Sequence, residues 1–112
     1  FHTKHLKKGL NDLQAAAMWL MQNGMANPDN AGAASTDFMH LFGLVSLGYM
    51  WAQMAKAANA KLADGADNPA FYENKLLTAR FFMERVMPET SAHLARIQSG
   101  ADTMMALAAE AF

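Results

Sequence analysis

The run from Phe38 to Ala58, FMHLFGLVSLGYMWAQMAKAA, decides how this chain folds. From Phe38 to Ala55 it carries no formal charge over 18 residues. Phe38, Leu41, Phe42, Val45, Tyr49 and Ala52 recur at steps of three and four, which is one face of an α-helix. Leu44, Leu47, Met50, Trp51 and Met54 fall off that face, so the helix is apolar nearly all round. Such a helix is either enclosed by protein or lies in a membrane. Its length makes it a formal membrane candidate. Gly43, Gly48, His40 and Gln53 inside it, and amphipathic neighbours that need an apolar partner, favour a buried helix walled by the segments on either side.

Upstream, residues 3–26 read as a first helix. Leu6, Leu10, Leu13, Ala17 and Leu20 form the narrow seam of a bundle, with Thr3 as N-cap. Gly24 weakens its end and Asn27-Pro28 stops it. The stretch NPDNAGAA, 27–34, reads as a turn. Ser35 or Thr36 then caps the central helix, Asp37 sits in its first turn, and the helix runs to about Ala63. Gly43 and Gly48 cost it about 1 kcal/mol each relative to Ala, so both read as notches where another backbone comes close.

Downstream, residues 64–69 (DGADNP) break the chain, with Asp67 or Asn68 as cap and Pro69 in first position. The third helix carries Tyr72, Leu76, Ala79, Met83 and Val86 on one seam, with Phe81 and Phe82 widening the buried arc. Arg80 and Glu84 pair on its outer face. Pro88 removes a backbone hydrogen bond and kinks the helix, and Leu94 and Ile97 continue its period to Gln98. Ser99-Gly100 ends it, leaving a short helix or tail over 101–112. The expectation is an all-α, single-domain antiparallel bundle of three long helices, the third kinked near Pro88.

The 112 residues have a net charge of −1, so no electrostatic pull toward nucleic acid is expected. Charged residues make up 17%, against roughly 25% in an ordinary soluble domain. With 53% apolar residues beside that shortage, part of the surface is expected to be covered by another copy or by more of the same polypeptide. The opening at Phe1 points the same way, to a piece of a larger protein. The chain has no cysteine, which excludes disulfides and thiolate chemistry. Its ten Met read as adaptable packing.

No side-chain constellation announces an active site. His2 and His5 share a helix face at a metal-like spacing, but no third ligand stands near them, so they read as incidental. His40 reads as a core histidine bonded to a backbone carbonyl, and His93, four after Glu89, as half of a surface pair. Gly32 belongs to a turn, not to a phosphate-cradling loop. Phe38, Met39, Phe42, Met50, Trp51 and Met54 read as core before they read as a ligand pocket. Catalytic, cofactor-binding and metal-binding residues are all expected to be absent from this chain.

Four long runs nevertheless point to a family: DLQAAAMWLM (12–21), NPDNAGAASTDFMHLFGLVSLGYMWAQMAKAA (27–58), FYENKLLTARFFMERVMPE (71–89) and MMALAAEAF (104–112). Together they resemble the extra C-terminal domain appended to a subgroup of bacterial acyl-CoA dehydrogenases, the subgroup that includes the 3-methylmercaptopropionyl-CoA dehydrogenase type. The resemblance implies a cytoplasmic flavoenzyme parent that binds FAD and oxidises acyl-CoA to 2,3-enoyl-CoA with a glutamate base in its preceding core. No glutamate here matches that base: Glu73, Glu84, Glu89 and Glu110 read as helix-surface or tail residues, so residues 1–112 alone are expected to be inert. The partner implied is the parent's dehydrogenase core, with a homo-oligomer expected. Gly32, Ala33, Ala34, Gly43 and Gly48 would permit close contact with it. The alternative role is a membrane-surface or partner-targeting module, resting on the apolar central helix and the Lys4, His5, Lys7, Lys8 cluster.

Overall fold

The computed structural model describes residues 2–112, except for the side chain of His2. The spacing of His2 and His5 thus has one member outside the described side chains. Helix α1 spans His2–Asn23, α2 Pro28–Ala63, α3 Pro69–Phe81 and α4 Thr90–Gln98, and a single turn, α5, spans Asp102–Met105. Among the described residues there is no strand, in agreement with the all-α expectation.

Helix α2 begins earlier than the turn residues around it suggest. Asn27 is the true N-cap, its side chain accepting from the Asp29 N–H at 3.1 Å, and Pro28 fills the first helical position where no N–H is needed. The 27–34 stretch is therefore the first two turns of α2 and not a loop. Ser35 and Thr36 lie inside the helix, where the Ser35 hydroxyl donates to the Gly32 carbonyl instead of capping. Thr3 likewise sits within α1. At 36 residues, α2 is about 54 Å long and runs most of the molecule's 67 Å length.

The other helices pack along α2 in two zones. Against its first half lie α1 and α4, and the core here is Ala16, Ala34, Leu41, Val45 and Ile97, with Trp19, Leu20, Phe38 and Leu94 packed on it. The rest of α2 pairs with α3 in a two-helix hairpin turned at Gly65, whose φ of +77° suits a residue without Cβ. This extended arrangement gives a radius of gyration of 18.8 Å, against about 13 Å for a compact domain of this length.

Pro88 shapes the junction between the zones. Its ring would meet the carbonyl of Glu84 in a regular helix. The backbone widens into a π turn over Phe82–Val86, tightens to a 3-10 turn over Met87–Glu89, and resumes as α4. That irregularity aims Met87, which is 2% exposed, between α1 and α2. Two glycines make room for it: a Cβ on Gly48 would stand 2.8 Å from Met87 Sδ, and one on Gly9 would overlap Met87 Cε. Gly48 is a packing notch, but what it admits is the Met87 side chain and not the expected backbone. Gly43 is not one within this chain, since a Cβ there would meet nothing within 4 Å.

Polar side chains fasten α4 to the other two helices. Asp12 of α1 is buried, held by Lys8 at 2.6 Å and by the Thr90 hydroxyl at 2.8 Å. At the far end, Asn30 donates to the Asn23 carbonyl at 3.2 Å and accepts from the Ala101 N–H at 3.0 Å. Gly100, at φ +72°, turns the chain out of α4 to meet it.

Candidate docking surface

The side chains singled out in the sequence fall into two groups once folded. His93 is not the outer half of a pair with Glu89. It is 7% exposed, and its Nδ1 lies 2.8 Å from Asp37 Oδ1 on α2. Arg96 Nε donates to the same carboxylate oxygen at 2.7 Å. Burial acts to raise Asp37's pKa, but the hydrogen bonds from His93 and Arg96 outweigh it and hold the carboxyl below its usual range. His40, expected in the core, is exposed and stacks on His93 with ring centroids 5.6 Å apart. This cluster joins α2 to α4. No group of three or more His, Asp or Glu among the described residues is placed to hold a metal ion.

The second group forms a surface. Helix α2 buries Ala34, Leu41, Val45, Gly48, Ala55 and Ala58 toward its neighbours. On its opposite side Met39 is 64%, Leu47 52% and Met50 53% exposed, with Met54 beside them, and on the flank toward α1 Phe42 is 55% exposed, with Tyr49 next to it. The expectation that neighbours wrap α2 on all sides therefore fails for half of its circumference. Trp51 is half-buried against Phe82, their centroids 6.3 Å apart, whereas Phe42 stands out in solvent. Two neighbouring helices cannot close around a third, and α3 and α4 are successive parts of one rod that leaves the far side of α2 bare. Phe81, expected to widen the buried arc of α3, is also exposed.

Between α1 and this bare side runs an open groove of about 430 Å³, lined by Leu6, Leu10, Leu13, Phe42, Val45, Ser46, Tyr49 and Met50. Its hydroxyls belong to Ser46 and Tyr49, and that of Ser46 is already donated to the Phe42 carbonyl at 2.9 Å. Single exposed apolar residues are ordinary on a monomer, and it is the contiguity of this strip that makes it the candidate docking surface. No helix among the described residues is long and apolar enough to cross a membrane.

Fold and surface define a class: an all-helical bundle organised on one long helix, with apolar groups turned outward. The family described as "Acetyl-CoA dehydrogenase C-terminal like" matches residues 2–108, and this chain belongs to it. Over 86 residues it is 34% identical to the 3-methylmercaptopropionyl-CoA dehydrogenase of Ruegeria pomeroyi, an overlap covering 77% of this chain and 14% of that protein. The chain thus corresponds to a small part of the relative's length.

Sequence reasoning missed Asp12 as a buried group and Asp37 as the partner of His93 and Arg96. A charged residue directly beside the Leu10/Leu13 seam, four after Lys8, was the available signal for Asp12. Nothing local signalled Asp37, whose partners are 56 and 59 residues away.

Proposed function

We propose that residues 1–112 form the C-terminal helical domain of a longer, cytoplasmic, FAD-dependent acyl-CoA dehydrogenase. Its core oxidises acyl-CoA to the 2,3-enoyl-CoA, and this domain serves docking, stability and subunit assembly. The observation carrying this reading is the bare apolar side of α2, from Met39 to Met54, which costs free energy in water and gains it under a partner. The family match supplies the enzyme class, and the relative's name supplies the kind of substrate.

Neither the α2 N-terminus nor the α1/α2 groove is built to take the flavin. A dinucleotide's pyrophosphate needs N–H donors at an open helix N-terminus or a cation beside it. The N-terminus of α2 is capped by Asn27 and carries Asp29, and the α1/α2 groove is almost wholly apolar. On the strength of the family match, FAD and the catalytic glutamate are assigned to the preceding core, and no chemical step is assigned here.

Deleting this domain from the full-length enzyme tests the reading. The expected outcome is a lower melting temperature or a changed subunit number. A deletion protein unaltered in both would remove the proposed role.

A further inference from the structure

We infer that the bare side of α2 pairs with the same side of α2 in a second copy, antiparallel, about a two-fold axis between Ser46 and Leu47. The inference rests on reading that side as a docking surface and names its partner.

The ridge facing away from the chain's own core carries Met39, Gly43, Met50 and Met54, with Ser46 and Leu47 on its two flanks. Turned end over end about the midpoint of Ser46 and Leu47, this ridge falls on itself. Met50 of one copy comes opposite Gly43 of the other, and Met39 opposite Met54. A long, pliable side chain thus meets a missing one, twice, and this knob-and-notch match is what an isologous contact requires. Gly43 gains an explanation that its own chain withholds. It costs helix stability, and a Cβ there would touch nothing within 4 Å, so the space it leaves serves something outside the chain. No formal charge lies between Phe38 and Ala55, so no like charges meet across the axis.

The area approaches what a stable pair needs. Met39, Leu47, Met50 and Met54, on or beside the ridge, are each more than a third exposed, as are Phe42 and Tyr49 on the flank toward α1. At on the order of 100 Å² apiece the first four offer about 800 Å² for the pair, and covering the two flanking rings as well brings it to about 1,200 Å², the lower bound of a specific stable interface.

The chain has no cysteine, so each introduced thiol is unique within it. In the full-length enzyme, Leu47→Cys treated with a short bismaleimide is expected to give a 47-to-47 linked peptide by mass spectrometry. Met39→Cys alone should give none. Met39→Cys combined with Met54→Cys should give a 39-to-54 link between copies, since within one helix those positions stand about 22 Å apart. Adding Gly43→Glu to Leu47→Cys fills the notch with a charge and should cut linking about tenfold, while the fold, checked by circular dichroism, persists.

Peroxide footprinting accompanies the linking. Met50 is expected to oxidise about tenfold more slowly than the exposed Met21 and Met25. A protected Met50 without a 47-to-47 link overturns the self-pairing and leaves a docking surface for some other partner. An unprotected Met50 without a link overturns both readings. A link through Met39→Cys alone means parallel helices and overturns the two-fold drawn here.

Discussion

Leu41 and Leu47 lie less than two turns apart on α2, yet the first is fully buried and the second half exposed. Around them, the covered face is made mostly of small residues (Ala34, Gly48, Ala55 and Ala58), and the uncovered face of large ones (Met39, Phe42, Tyr49, Met50 and Met54). A surface helix of a free-standing domain allocates them the other way, large apolar groups inward and polar ones outward. The inversion has a physical sense. Small residues let α1 and α4 approach and leave space for Met87, so the covered side is filled mainly by the neighbours' side chains. Large residues on the other side await something that brings its own gaps.

The sharpest way to break this contrast is to truncate both leucines. Leu41→Ala should cost the chain about 3 kcal/mol in urea unfolding, the usual toll of an emptied core site. Leu47→Ala should stay within about 0.5 kcal/mol in the isolated chain. Equal losses would mean that the second face is already covered. Next in size is the buried carboxylate. Asp12→Ala leaves the buried Thr90 hydroxyl without its acceptor and should cost about 1–3 kcal/mol. A cost near zero would show that water replaces Asp12, and hence that the α1/α4 side is less closed than it looks.

Legibility from sequence followed the same division. Helices, breaks and the disturbance at Pro88 were local facts, carried by periodicity and by Pro and Gly chemistry. The start of α2 is ambiguous in sequence because Asn, Pro, Asp and Gly signal both a turn and a capped helix entry, and Asn27-Pro28 serves as the second. How much of α2 would be covered was not local at all. An all-round apolar helix shows that every side is suited to burial, whereas how many sides find a partner depends on the number of helices available. The same limit hid the polar cluster on α4: Asp37 and His93 are ordinary surface types until α2 and α4 are set side by side.

The two interior glycines of α2 sharpen the comparison with smaller effects of opposite sign. Gly48→Ala pushes a methyl into Met87 Sδ, and because Met87 is fully enclosed it cannot swing clear, so a loss of about 1–2 kcal/mol is expected. In the isolated, unpaired chain Gly43→Ala meets open space and gains helix propensity, raising stability by about 0.5–1 kcal/mol. Thermal melts of the two variants read both signs directly. A destabilised Gly43→Ala would show that something already sits over that position.

The last contrast is between two lowered carboxylates. Glu84's carboxyl is lowered by its hydrogen bond from Arg80, but the pair is on the surface, where water and salt screen it. Asp37 bridges α2 and α4, lowered by His93 and Arg96 against the opposing pull of burial. A carboxyl that binds its proton less tightly folded than unfolded contributes stability fully present above the unfolded value, about 3.9. The contribution drains away as pH falls from there through the lower folded value, so it makes no slope near neutrality. Asp37→Asn should therefore lower stability at pH 5–7 and flatten the decline below about pH 4, whereas Glu84→Gln should leave that decline nearly as it was. Urea midpoints taken across pH 2–7 distinguish them. An unchanged acid limb in Asp37→Asn would mean that the contact between α2 and α4 is held by Leu41 and Ile97 alone, with the polar cluster along for the ride.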